Sequence, residues 1–440
     1  MTYDAVVIGG GPGGYEAALW VAKLGGKAVV VEKDALGGVC TNRGCIPTKA
    51  LAASCDVLDC FSRAEEFGVK VSSYTLDSEA MFKRRDRVSL TMRKGVEKLL
   101  ADAKVDVVRG VGTLKSETEV EVNGEVLEGR ALVLATGSEP VSLPGMDLDH
   151  EYIISGDDAA ALSKRPESVV IVGGGFVGCE YASIYSRMGC DVTLIEMLPR
   201  LLPLEDRDVS AALEAALSKK VSVMVGTKVE SIDVKEKEVV AGDRKIRADL
   251  VLMAVGRRPV LPAGIDDVGV VYGKSGIKAD SMMRTSVDNI YAVGDVTQGL
   301  KLAHVAYFGA QAAARNIMGD ICETDWSSVP WCVFTSPEVA RVGKTSQEAG
   351  SGVRLGRADY LGNGKARCMG ERGGFCKVVV DEGSGVILGV HIVGAHASDL
   401  IGEAAVAVRM KLKAEDVAGT VHPHPTLSEI FKEACGNASE

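Results

Sequence analysis

One pattern is written twice in this chain, 164 positions apart, and it restricts the fold more than any other feature. Val6-Val7-Ile8 runs into Gly9-Gly10-Gly11-Pro12-Gly13-Gly14, and Val169-Val170-Ile171-Val172 runs into Gly173-Gly174-Gly175-Phe176-Val177-Gly178. Each is an apolar run followed by G-x-G-x-x-G and then a helical pattern, with an alanine (Ala18, Ala182) at the same place. Each continues to a second apolar run closed by an acid, Glu32 or Glu196, and both glycine-to-acid intervals are 23 residues. A lone G-x-G-x-x-G is a weak signal, but with strand, helix and acid in place, and repeated at matched spacing, it is strong.

The physical content of the motif predicts two βαβ units that each hold a dinucleotide. Gly9, Gly11 and Gly14, like Gly173, Gly175 and Gly178, permit a tight turn and let backbone N–H groups approach a pyrophosphate. The helix N-terminus adds partial positive charge, and the acid accepts hydrogen bonds from an adenosine ribose. Glycine makes up 51 of 440 residues without any collagen-like period, as tight backbone turns require. The balance of 50 basic and 60 acidic residues gives a net charge of −10, which argues against a nucleic-acid binder. The start, MTYDAVVIGG, enters a strand without a signal-peptide pattern, and no apolar run reaches the roughly 18 residues of a membrane span. The expectation is a cytoplasmic protein without membrane or nucleic-acid partners.

Four segments follow: residues 1–142 as the first dinucleotide domain, closing at Ala135-Thr136-Gly137-Ser138; 143–264 as the second, closing at Ala254-Val255-Gly256-Arg257; 265–325 as a central segment with the strand-like Ile290-Tyr291-Ala292-Val293-Gly294-Asp295; and 326–440 as an α+β domain. The fold class is α/β, with two Rossmann-like domains followed by that C-terminal domain.

Directly after the first repeat stands Gly37-Gly38-Val39-Cys40-Thr41-Asn42-Arg43-Gly44-Cys45-Ile46-Pro47-Thr48-Lys49. Cysteines five apart on a regular helix are separated by a rise of about 7.5 Å, too far for an unstrained bridge. A redox bridge between Cys40 and Cys45 therefore requires a broken helix, which Gly38 and Gly44 permit. Cys55 and Cys60 have the same spacing without flanking glycines, and their apolar stretch predicts packed thiols. Half of a metal site and two core thiols are the other readings of Cys40 and Cys45; no second Cys/His pair of zinc-like spacing accompanies them, so no metal is expected. A redox dithiol beside a dinucleotide needs an intermediary between thiolate exchange and hydride transfer. A flavin serves both, so the first dinucleotide is expected to be FAD and the second NAD(P). The tail Thr420-Val421-His422-Pro423-His424-Pro425-Thr426-Leu427-Ser428-Glu429 supplies a candidate base, His424, and an orienting carboxylate, Glu429. A surface loop with two histidines is the plainer alternative. His150, His304, His391 and His396 are taken as structural.

These motifs, together with LAHVA at 302–306 and FTSPEVARVG at 334–343, make the chain resemble the flavoprotein pyridine nucleotide–disulfide oxidoreductases over nearly its whole length. The resemblance implies an FAD domain, an NAD domain, a central segment completing the first, and a C-terminal dimerisation domain. It implies Cys45 as the thiolate that touches the flavin and Cys40 as the exchanging thiol. Lys49 would lie beside the flavin, paired with Glu180. Asp295 would bind the ribityl chain, Ala303 would offer its backbone to the ring, and Gly112, Thr136 and Gly137 would line FAD. Phe176 would shield the flavin until nicotinamide arrives, with Val229 and Gly256 lining the second site. His424, held by Glu429, would act on the cysteines of the other subunit of a homodimer.

Glu196 at the end of the second repeat repels a 2′-phosphate, which favours NAD, with Arg200 nearby as the opposing feature. The form H-x-H-P-T-L-S-E looks like the lipoamide branch of the family. The expected substrate is dihydrolipoamide, carried on a lipoyl protein of a 2-oxoacid dehydrogenase or glycine-cleavage complex. The single Cys435 disfavours the mercuric branch, and the paired cysteines disfavour the soluble transhydrogenases. Reductases of glutathione or coenzyme A disulfide remain the competing reading. A role mainly as a component of a large complex, and a metal-binding module, are the others. Val39 stands where relatives often carry Thr, and Pro423 stiffens the histidine loop.

Overall fold

The computed structural model describes residues 2–439. The outermost residues of the expected first and last segments, 1 and 440, lie outside that range. Three larger sheets, of seven, five and five strands, carry the chain among the described residues. The first has seven strands, with Tyr3–Ile8 between Ala28–Glu32 and Glu125–Leu134, and Asp106–Arg109 outside Ala28–Glu32. These run parallel, and the apolar runs Ala5 to Ile8 and Ala28 to Val31 are buried on both faces, as a covered parallel sheet demands. The late strand Ile290–Ala292 also pairs in parallel with Glu125–Leu134, so the central segment completes the first sheet. The helix Ala303–Ile317 packs beside Pro12–Lys23, and small residues such as Ala17, Ala310 and Ala313 let the two approach closely.

The second sheet is parallel, in the order Ser222–Met224, Asp191–Ile195, Ser168–Val172, Leu250–Met253, Ile153–Ser155. The chain leaves the first sheet through Ser138–Pro140 and returns through Arg257–Pro259, and these two short strands pair with each other. The C-terminal sheet is antiparallel, in the order Trp331–Val333, Glu338–Gly343, Ile387–Gly394, Phe375–Asp381, Val353–Asp359. The helices Ala397–Arg409 and Glu429–Ser439 contribute Ile401, Ala404, Ile430 and Phe431 to its core. No helix among the described residues is long and apolar enough to cross a membrane. The molecule is thus two Rossmann-like units and an α+β unit, in the expected order.

Candidate dinucleotide and dithiol sites

The two glycine loops are near copies in space. Gly9 has φ +106° and Gly173 φ +108°, a region that favours glycine. A Cβ on Gly9 would strike the carbonyl of Ala135, and one on Gly173 that of Ala254. A Cβ on Gly14 or Gly178 would strike the carbonyl of Gly9 or Gly173, so the third glycine seats the helix on the strand. The middle glycines differ from these. A Cβ on Gly175 would meet nothing within 4 Å, and one on Gly11 only Gly38 Cα at 3.7 Å. Their surfaces face open space at helix starts with no side-chain cap, where N–H groups remain available to an anion. Glu32 accepts the Gly10 N–H at 2.6 Å and the Asp34 N–H at 2.7 Å. Glu196 repeats this with Gly174 at 2.6 Å and Leu198 at 2.7 Å. Each acid thus braces its own loop, and each carboxylate oxygen keeps a lone pair for a ribose hydroxyl.

A cavity of about 680 Å³ opens on the second loop and brings together Gly173, Gly175, Phe176, Glu196, Val229 and Gly256. Arg200 turns to the carbonyl of Pro203, whereas Lys228, which the sequence reading passed over, lines the cavity. Around the first loop, Asp295 accepts a hydrogen bond from Ser138 at 2.6 Å, and Thr136 donates to the carbonyl of Val260. Gly137 faces open space, with φ +74°. Ala303 is the first residue of its helix, which has no side-chain cap. Gly112 is packed against Ile8, Val31 and Val120, so its smallness serves the sheet as well as any ligand. These open glycine surfaces, uncapped helix starts and polar partners fit an FAD at the first loop and an NAD at the second.

The dithiol sits on two helices. Gly38–Asn42 carries Cys40, Cys45–Ser62 begins at Cys45, and the break falls at Arg43 and Gly44. A Cβ on Gly38, at φ +57°, would run into Gly11, so the dithiol segment is packed directly on the first loop. Both cysteines are free thiols, and they interact electrostatically. Their electrostatics are unequal. The interaction with Cys45, then burial, pushes the Cys40 thiol far up, while the interaction with Cys40 and then Lys49 draw Cys45 down against its own burial. The pair is thus electrostatically unequal, with Cys45 the more readily ionised of the two. Cys55 and Cys60 lie on one uninterrupted helix; Cys55 is buried, but Cys60 is exposed, contrary to expectation. The apolar stretch around them is one face of an amphipathic helix, and Cys60 falls on the other.

Lys49 bonds both oxygens of the buried Glu180, at 2.9 and 2.8 Å, and lies 4.4 Å from the centre of the Phe334 ring. This joins the dithiol helix to the helix that begins at Phe176. A pair that the sequence did not announce lies close by. The Tyr15 and Tyr307 hydroxyls are 2.8 Å apart, and the charge of the cysteines helps to push the Tyr307 phenol up, after burial. Its only signal was the bulky residue directly after Gly14.

His424 Nδ1 is 2.9 Å from Glu429 Oε1, and Glu429 also accepts the Thr426 N–H at 2.9 Å. That backbone bond, and then His424, hold the Glu429 carboxyl below its usual range. The His424 side chain is 76% exposed. His422 differs: its side chain is 5% exposed, between Glu403 and the carbonyl of Thr420. The histidine–carboxylate pair belongs to the C-terminal unit, while the thiols interact with each other, Lys49 and Glu180. His150, His304, His391 and His396 bond Asp158, Pro330, Lys344 and Asp399 respectively.

Residues 3–310 match the family described as pyridine nucleotide-disulphide oxidoreductase, and residues 329–435 match the dimerisation domain of that family. A dihydrolipoyl dehydrogenase of Chlorobaculum parvum is 42% identical, over 98% of this chain and 96% of that protein. A mitochondrial dihydrolipoyl dehydrogenase of Pisum sativum is 37% identical, over 98% and 90%. Among solved structures, LpdA from Mycobacterium tuberculosis superposes with a TM-score of 0.91 at 28% identity, covering 98% of this chain and 99% of that one. The HOCl-induced flavoprotein disulfide reductase RclA from Escherichia coli gives 0.88 at 25% identity, covering 99% of both. The duplicated loops, the dithiol on the first of them and the full-length relatives agree: the chain belongs to the pyridine nucleotide–disulphide oxidoreductases, flavoproteins that use FAD and a nicotinamide nucleotide.

Proposed function

We propose that the chain oxidises dihydrolipoamide and passes the electron pair to NAD, as a homodimer whose sites each take His424 from the partner subunit. The observation that carries this reading is the placement of the dithiol: Cys40 and Cys45 flank a helix break packed on the first glycine loop, and the Lys49–Glu180 bridge beside them favours Cys45 as the thiolate. With the pair oxidised, a substrate thiolate attacks Cys40 Sγ, forms a mixed disulfide and releases Cys45 as thiolate. The partner subunit's His424 takes the proton of the second substrate thiol, and Glu429 stabilises the resulting imidazolium. That second thiolate attacks the substrate sulfur of the mixed disulfide, which closes the cyclic disulfide and expels the Cys40 thiolate, and Cys40 takes the imidazolium proton to become the thiol. The substrate loses two electrons and the cysteine pair gains them. Bound FAD and NAD supply the onward two-electron and hydride-accepting chemistry.

The remaining assignments rest on placement. Gly9, Gly11, Gly14, Glu32, Gly112, Thr136, Gly137, Asp295 and Ala303 form the FAD surface, and the cavity residues form the NAD surface. The divisions near 142, 264 and 325 belong to the same reading and are supported by the separate parallel sheets on either side of 142 and by the strand Ile290–Ala292 that joins the first sheet. Dimerisation is supported by the matched C-terminal domain, and location in the cytoplasm and delivery of substrate on a lipoyl protein are part of the same reading. The test is a visible spectrum of the anaerobic holoenzyme titrated with dihydrolipoamide and then NAD. A long-wavelength thiolate–flavin band discharged by NAD is the expected result. A yellow protein inert to dihydrolipoamide but reduced by NADH would move the activity to another disulfide.

A further inference from the structure

Phe176 opens the helix Phe176–Arg187 and lines the second cavity. Its ring is held from outside the second dinucleotide unit. Trp331, on the edge strand Trp331–Val333 of the C-terminal sheet, meets it edge-on, with centroids 5.2 Å apart and planes at 87°. One helical turn beyond Phe176, Glu180 accepts the Phe334 N–H at 3.0 Å and pins the end of that strand to the helix. The Arg341 guanidinium lies 4.7 Å from the centre of the Trp331 ring, and the two residues are cross-strand partners. Arg341 is buried and donates to the carbonyl of Leu204 at 2.7 Å. Leu204 belongs to the loop that follows Glu196, and Leu202 in that loop donates to the carbonyl of Gly174 at 2.9 Å. A closed ring of contacts results: glycine loop, loop 197–206, Arg341, Trp331, Phe176, and back to the glycine loop.

We propose that Trp331, backed by Arg341, is a positioning residue that latches Phe176 in its resting place, so that nicotinamide binding must break the Trp331–Phe176 contact. The proposal rests on the reading of Phe176 as the residue that shields the nicotinamide position. A latched ring lowers the fraction of molecules competent to bind and weakens the apparent affinity by that fraction. An edge-to-face aromatic pair is strong enough for an effect of about two- to tenfold. A tryptophan that only fills space would not make its effect depend on Phe176.

The experiment is a double-mutant cycle on the flavin-loaded enzyme, read as the dissociation constant of NAD+ by calorimetry, which needs no dithiol substrate. Trp331→Leu is expected to tighten NAD+ by about two- to tenfold, Trp331→Phe to restore the wild-type value, and Phe176→Leu to tighten it as well. The double variant is expected to be no tighter than the tighter single variant. Arg341→Met, which removes the cation and leaves the ring, is expected to shift the constant the same way by less. Additive effects, or an unchanged or weaker constant for Trp331→Leu, would overturn the latch. An unchanged constant for Phe176→Leu would overturn the shielding reading and the latch with it. A failed lipoamide assignment would leave the measurement intact.

Discussion

Lys49 shows how much one side chain can join. Its ammonium bridges the dithiol helix and the second dinucleotide unit through Glu180, 131 positions away, and helps draw the Cys45 thiol down. Removing it withdraws positive charge from the place where negative charge builds up as the dithiol is formed. Lys49→Ala is expected to slow flavin reduction by dihydrolipoamide by about tenfold or more, measured as bleaching of the flavin band in stopped flow. A rate within twofold of wild type would remove Lys49 from the chemistry. The partnership with Glu180 was readable only through family resemblance, because nothing in local periodicity pairs residues in separate domains. The unequal roles of Cys40 and Cys45 likewise came only through the resemblance, since their five-residue spacing is shared by Cys55 and Cys60. Context separates the pairs: Gly44 breaks the helix between the first two, and no glycine breaks it between the second.

At the scale of elements, the glycine loops were the most legible part of the molecule. A backbone that must take positive φ at Gly9 and Gly173, and touch itself at Gly14 and Gly178, leaves little choice of residue. Sequence therefore reports geometry directly there, and the cavity collects the expected Gly173, Gly175, Phe176, Glu196, Val229 and Gly256. The misreading of Cys60 has the opposite origin, because an apolar stretch does not say which face of a helix the core covers. The duplication also makes a separable prediction. Gly178→Ala places a Cβ against the carbonyl of Gly173 and forces the helix away from its strand, while the first loop is untouched. The variant is expected to keep its full complement of flavin by absorbance and to lose at least about tenfold in NAD+ affinity, the cost of overpacking a close contact. Loss of flavin with NAD+ affinity retained would contradict the assignment of the two loops.

At the scale of the whole molecule, the second dinucleotide unit docks on the C-terminal sheet through a feature that no local pattern announces. Four residues on adjacent strands of the C-terminal sheet are in register, the cations Arg341, Lys377 and Arg357 with the buried His391 between Arg341 and Lys377. Against this row dock Glu205, Asp206 and Asp208 from the second dinucleotide unit, with Lys377 bonding Asp206 at 3.0 Å and Asp208 at 2.6 Å. An acidic stretch such as residues 205–208 reads as solvated surface, and only domain docking shows that Glu205 is 2% exposed and Asp206 fully buried. Glu205 is the weak point of the seam. Its nearest cation is Arg341 Nε at 3.8 Å, and neither carboxylate oxygen finds a hydrogen bond among the described residues. Burial pushes its carboxyl from 4.5 up to about 7, and Arg341 only partly offsets this. The native state thus holds this proton more tightly than the unfolded chain does. The associated stability is fully present below pH 4.5 and is lost as pH rises through about 7. Glu205→Gln keeps the shape and removes the titration. Any fixed cost of the buried amide enters at every pH, so the informative quantity is the difference between variant and wild type at pH 8 minus that at pH 5. That quantity is expected to favour the variant, by at most about 3 kcal/mol, and to appear as a higher relative melting temperature at pH 8. A difference that does not change with pH would show that Glu205 ionises normally in the folded protein and that the seam already satisfies its charge.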